Sequence, residues 1–119
     1  WLWVGLGGFL GAAGRYLVDR AVQSTVGVDF PFGTLTVNVL GSFALGIAAA
    51  SLLKYGMDLP KLRLFLLTGL LGAFTTFSTF SHESLQLLLN GRNLAFLGNI
   101  TGSVLLGLTG AFLGLRLVG

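Results

Sequence analysis

The sequence predicts an all-α integral membrane protein, a bundle of four transmembrane helices. Three observations carry this. Apolar residues make up 54 % of the 119-residue chain and charged ones only 9 %, whereas soluble domains carry roughly 25 % charge. Three charge-free runs, Pro31–Leu53, Leu64–Ser81 and Asn93–Leu115, are each close to the ~20 residues that cross a bilayer as a helix. A fourth, Trp1–Gly14, reaches that length when it continues through Arg15 to about Val22. Four helices use nearly the whole chain and leave nothing for a soluble domain, so residues 1–119 are expected to form one transmembrane domain. The first run has neither a basic flank nor a cleavage signature and does not read as a signal peptide.

The expected spans are 2–23, 32–54, 61–89 and 93–116. The first loop, Ser24–Phe30, ends at Pro31, a residue suited to a helix start. The second, Tyr55–Pro60, places Gly56 near one helix end and Pro60 at the next start. The third is little more than Asn90-Gly91-Arg92, a tight turn. Loops this short make consecutive helices antiparallel neighbours.

Charge excludes some functions and leaves orientation open. The net charge of +3 is spread thinly, without the basic patch that nucleic-acid binding needs. No Cys is present, so disulfides and thiol chemistry are excluded. In the expected topology Lys54, Lys61, Arg63 and Arg116 lie on one side, and Arg15, Arg20 and Arg92 on the other. That is almost no bias under the positive-inside rule. Either the topology is fixed but weakly signalled, or the chain inserts both ways and pairs with its inverted copy.

Two further patterns concern packing. At an offset of 61 residues, Gly8–Ala12 echoes Gly69–Ala73 and Asn38–Gly46 echoes Asn99–Gly107, which points to two related hairpins. Gly7/Gly11, Gly98/Gly102 and Gly110/Gly114 are small-xxx-small pairs that let helix backbones approach closely. Four short helices enclose little interior, so a polar pathway would more readily form between subunits.

The polar residues inside the spans need separate reasons. Asn38 lies in the middle of the second span, where an unbonded amide is costly. It either glues two helices or offers N–H donors to an anion. Asn99 has the same choice, with a capping or interfacial role favoured by its place near a helix start. Arg15 and Asp19, four apart, read as a local ion pair with Arg15 reaching for the surface, or as a source of positive potential at a vestibule mouth.

The third span is long for one straight crossing. Near its middle, Gly69 and Gly72 precede Thr75 and Thr76, β-branched residues whose hydroxyls compete for backbone carbonyls. The helix is expected to break there. Unwound backbone at membrane depth survives only when buried or lining a wet cavity, and its carbonyls can hold a cation. Phe77 and Phe80 then share a face, as core or as ring edges bearing partial positive charge beside a narrow path. Ser78 and Thr79 supply hydroxyls that can replace water around a small hydrated anion. Glu83 weighs against simple anion attraction. His82, the single His, reads as solvent-facing or bonded to Glu83. Nothing resembles a nucleophile–base pair, a phosphate loop or a metal cluster, so the protein is not read as an enzyme.

Three stretches in order, Gly7–Tyr16, Pro31–Phe43 and Gly72–Ser81, resemble the CrcB/Fluc fluoride channels over nearly the whole chain. The resemblance implies a passive fluoride-selective channel in the bacterial inner membrane. It also implies a dual-topology antiparallel homodimer with two pores at the subunit interface. By the same resemblance, Asn38, Phe77, Phe80, Ser78, Thr79, Glu83 and Ser103 match the fluoride path. Arg15 would stand at the vestibule. Gly72 and Thr75 match the helix break whose carbonyls hold a central structural Na+. The chain departs from the family at Ala73-Phe74, where only packing should change, and at Asn99, where some members carry an aromatic residue. The main rival is a small dual-topology exporter of organic cations, which needs a membrane-embedded carboxylate. Only Asp19 and Glu83 could serve, both toward helix ends. A second rival is a non-transporting scaffold with Asn38 as glue.

Overall fold

The computed structural model describes residues 1–27, 29–56 and 59–119. Helix α1 runs Leu2–Val26, α2 Phe32–Lys54 and α6 Asn93–Val118. Between α2 and α6 lies a segmented run: α3 (Pro60–Arg63), a π-helical stretch (Leu64–Leu71), α4 (Gly72–Phe74) and α5 (Phe77–Leu89). The long axis of the molecule is 49 Å, enough to span hydrocarbon core and headgroups, ~40–45 Å. Three of the helical runs, Phe32–Lys54, Pro60–Leu89 and Asn93–Val118, are long and apolar enough to cross a membrane. The first helix, expected as a fourth span, is not among them, although at 25 residues it is long enough. Arg15, Asp19 and Arg20 in its second half lower its hydropathy.

The loop chemistry behaves much as the residues dictate. Gly91 takes φ 75°, Gly91 N–H donates to Leu88 O at 3.1 Å and Arg92 N–H to Leu87 O at 2.9 Å. This is a Schellman ending, in which a left-handed glycine satisfies two terminal carbonyls. Pro60 opens α3, as its fixed φ favours. The second loop's Met57 and Asp58 and the first loop's Val28 lie outside the described residues. The first loop is shorter than expected. Helix α1 continues through Ser24 and Thr25, whose hydroxyls both donate to Ala21 O at 2.9 Å.

The up-and-down order is visible in the end contacts. Trp3 lies 5.9 Å from Lys61 Nζ, and Lys54 Nζ donates to Val118 O at 2.7 Å. The helix ends around the N-terminus, the second loop and the C-terminus therefore meet in neighbouring pairs. At the opposite end Arg92 donates to Asp29 O.

Glycine decides the packing between helices. A Cβ on Gly7 would fall on Phe65 O and lie 2.8 Å from Leu70 N. One on Gly11 would fall on Leu70 O and lie 3.0 Å from Phe74 N. Helix α1 thus presses its bare face on the π-helical stretch, whose wider backbone leaves no room for side chains. Gly46 and Gly114 do the same for α2 against α6: their Cβ atoms would meet Ala111 O and Phe43 O. The helices that carry the two echoes are therefore the ones that pack together, although α6 meets α2 at Ala111 and Gly114, beyond its echoing stretch. Gly98/Gly102 differs from expectation, because among the described residues no atom of another helix lies within 4 Å of either added Cβ.

Few large side chains are sealed from outside: Val37, Leu52, Leu71 and Leu87 form the buried apolar core. Phe9, Leu17, Leu94, Leu108 and Leu117 stand exposed on the helix exteriors. In water such a surface would aggregate, whereas in lipid it costs nothing.

Candidate functional site

The site is built around a joint. Helix α4 ends at Phe74, then Thr75 (φ −81°, ψ 157°) and Thr76 (φ −149°, ψ 119°) are extended, and α5 starts at Phe77. The local sequence favours this. Thr75 Oγ1 donates back to Leu71 O at 3.1 Å, a bond that weakens a helix. Thr76 is the N-cap of α5: its hydroxyl accepts from Thr79 N–H at 3.2 Å and donates to Thr79 Oγ1 at 3.1 Å.

Other helices supply the remaining partners. Asn38 of α2 faces the Thr76 peptide and engages both its groups. Asn38 Oδ1 accepts from Thr76 N–H at 2.9 Å and Asn38 Nδ2 donates to Thr76 O at 3.1 Å. Only one orientation of the amide satisfies both bonds, so the peptide fixes which end carries the nitrogen. The amide has two N–H donors; one is spent on Thr76 and the other remains. Asn38 thus ties α2 to the joint, as the interhelical reading expects, and it also lines a cavity. Arg15 of α1 donates from Nε to Ala73 O at 3.2 Å. The ion pair expected with Asp19 is absent among the described residues. Asp19 instead lies against Gly33 at the start of α2, where a Cβ would strike its carboxylate.

Two cavities flank the joint. The larger, an open groove of about 360 Å³, is lined by Asn38, Ser42, Gly72, Thr75, Thr76, Phe77, Phe80 and Ser103 among others. The Phe77 and Phe80 rings sit 5.9 Å apart between centroids, tilted by 32°. Ser103 Oγ is buried and has no hydrogen-bond partner among the described residues. The smaller cavity, about 20 Å³, lies between Arg15, Asp19, Thr34, Val37, Thr76 and Thr79. Beyond it Thr34 donates its hydroxyl to Glu83. Thr76 touches both cavities.

The structure therefore brings Asn38, Phe77, Phe80, Ser103, Gly72 and Thr75 to one groove. Arg15 and Thr79 stand at the second cavity, with Glu83 adjoining it through Thr34. Ser78 is exposed on α5 and lines neither, and His82 is exposed as well. Asn99, expected as a cap or interfacial residue, is only 2 % exposed and donates to the buried Ser84 Oγ at 2.9 Å. It locks α6 to α5. Sequence reasoning passed over Thr34 and Ser42, and read Thr76 only as part of the helix break. Thr34 and Ser42 were legible: each is one helical turn from Asn38, so the three form a polar stripe.

These features define a class: a small polytopic helical membrane protein whose polar side chains line a groove beside a mid-span joint. Residues 2–115 match the family model described as CrcB-like protein, Camphor Resistance (CrcB). The chain is 46 % identical over 111 residues to a fluoride-specific ion channel FluC of Ruminiclostridium cellulolyticum, covering 93 % of this chain and 85 % of that protein. It is 46 % identical over 111 residues to the protein of that name in Aquifex aeolicus, covering 93 % and 90 %. With the Magnetococcus marinus FluC it shares 47 % over 113 residues, covering 95 % and 92 %. The chain belongs to the CrcB family and is a multi-pass integral membrane protein.

Proposed function

We propose that this protein is a passive fluoride-selective channel of the bacterial inner membrane, not an enzyme. Residues 1–119 act as one transmembrane domain with the third span broken at Thr75-Thr76. The active form is an antiparallel homodimer whose two copies insert in opposite directions and frame two pores. One observation carries the reading: the groove collects an amide donor, hydroxyls and two tilted phenyl rings at mid-span, with no carboxylate or cation among the described residues of its walls. Such a wall can replace the water of a small anion without trapping it. The family relatives are named for fluoride.

The chemistry assigns roles within the groove. The spare N–H of Asn38 and the unpartnered hydroxyl of Ser103 donate to the ion. The positive edges of Phe77 and Phe80 accompany it. Thr79 and Glu83 continue the path along α5 at the second cavity, exposed Ser78 joins it only where the second copy covers α5, and Arg15 supplies positive potential at the vestibule. Because the groove is open on one side, a second copy is needed to close it. Alternation of charge between the two ends is slight, which suits insertion in both directions.

A structural Na+ fits the joint. The carbonyls of Gly72 and Thr75 lose their helical donors, since Thr76 N–H and Thr79 N–H are engaged by Asn38 and the Thr76 hydroxyl. Hard oxygen ligands of this kind suit an alkali cation, and a symmetric partner would double their number. Held by the Gly72 and Thr75 carbonyls, such an ion would supply a structural link between the two copies rather than a step in conduction.

A cation exporter would place a carboxylate in the groove, but Asp19 and Glu83 line other surroundings. The test is efflux from proteoliposomes under an imposed potential. Rapid downhill fluoride efflux with negligible chloride efflux is expected. Proton-coupled export of an organic cation, or no flux at all, would refute the reading.

A further inference from the structure

An uninterrupted helix would pair Thr76, Phe77, Ser78 and Thr79 N–H groups with the carbonyls of Gly72, Ala73, Phe74 and Thr75. The extended Thr75 and Thr76 forgo that ladder. At membrane depth, water does not replace it freely. The replacements come from two other helices. Asn38 of α2 takes both groups of the Thr76 peptide, at 2.9 and 3.1 Å. Arg15 of α1 takes the Ala73 carbonyl at 3.2 Å.

We propose that Asn38 and Arg15 are positioning residues of the joint. Together they hold its extended backbone and decide which carbonyls stay open to a cation. Asn38 withdraws Thr76 N–H from Gly72 and so frees the Gly72 oxygen. Arg15 occupies the intervening Ala73 oxygen, so that of the four carbonyls cut off from the ladder Gly72, Phe74 and Thr75 stay open, with Gly72 and Thr75 at its two ends. Arg15 is thus more than a source of potential at a vestibule, because its guanidinium is one of the bonds that shape the joint. The cation half of this inference rests on the Na+ reading above; the clamp half stands on the geometry alone. The same amide reaches the groove and the joint, so a change at Asn38 reads out at both.

Two measurements test the halves separately. The first is hydrogen exchange at single amides in nanodisc-embedded protein. Asn38→Leu, which removes acceptor and donor, speeds exchange at Thr76 by about tenfold or more. Asn38→Asp keeps the acceptor and leaves Thr76 protected. A side chain that merely fills space would not separate these two variants, so equal Thr76 exchange in Asn38→Asp and Asn38→Leu overturns the clamp. Should Asn38→Leu fail to fold, Thr76 exchange in Asn38→Asp as fast as in an unbonded amide overturns it equally. The second is recovery of dimer from unfolded protein as a function of Na+ concentration. Arg15→Met raises the half-saturating Na+ concentration about tenfold, and Arg15→Lys, which can still donate to Ala73 O, restores most of it. An unchanged half-point in Arg15→Met overturns the role of Arg15. Wild-type recovery indifferent to Na+ overturns the cation half, while the exchange measurement still decides the clamp.

Discussion

Asn38→Asp isolates what the amide nitrogen does, because the two side chains have nearly the same shape. The aspartate keeps an oxygen within reach of Thr76 N–H, whose bond to Oδ1 is 2.9 Å. It replaces the Nδ2 donor, 3.1 Å from Thr76 O, with a second acceptor. One carbonyl then loses its partner at membrane depth, at about 1–3 kcal/mol. The larger effect falls on the ion. A carboxylate roughly 5 Å from a passing anion, at an effective dielectric constant near 20, repels it by about 3 kcal/mol. At ~1.4 kcal/mol per factor of ten, fluoride flux should fall at least about 100-fold. The assay is fluoride efflux from liposomes at matched protein density, with size-exclusion profiles confirming folded protein. Wild-type flux through folded Asn38→Asp would show that no anion passes this amide, and the channel reading of the groove would fall.

Phe80→Ile keeps apolar volume but removes the ring edge beside the groove; flux should drop by about two- to tenfold, in line with the ~0.5–1.5 kcal/mol scale of ring electrostatics, and unchanged efflux would return Phe80 to a packing role. Gly11→Val drives a side chain into Leu70 O and the Phe74 backbone, and overpacking against backbone should cost about 1–3 kcal/mol; an unaltered unfolding midpoint would refute the close contact of α1 with the π-helical stretch. Ser84→Ala and Asn99→Leu should be individually destabilising and coupled by about 0.6–1.7 kcal/mol in a double-mutant cycle, whereas strictly additive effects would mean that their 2.9 Å bond holds nothing.

How much of this was legible in the sequence varies from residue to residue. The helical runs follow from uncharged length, and their observed bounds lie within a few residues of those read from the pattern. The polar stretch after Gly72 was legible because hydroxyls in a hydrocarbon segment need a reason. The Thr34-Asn38-Ser42 stripe was there to be read, at one turn per step. The direction of the Arg15 side chain was not. Spacing offers it Asp19, whereas the fold offers it a carbonyl left without a helical donor 58 residues away. Asn99 was misjudged for a similar reason: nearness to a helix start says nothing about which neighbour covers it, and Ser84 does.

Sequence by itself determined that this chain lives in a membrane as helices, because burying a backbone in lipid permits little else and its apolar runs have the required length. It also determined the family, through motifs spread over nearly all of it. Only the tertiary structure decided which polar groups meet. Hydrogen-bond partners in a bundle come from different helices, and the rotation and depth of each helix are set by where glycine lets backbones touch. That is why the Asn38 amide could be singled out from the sequence, while its grip on the Thr76 peptide could be seen only in the fold.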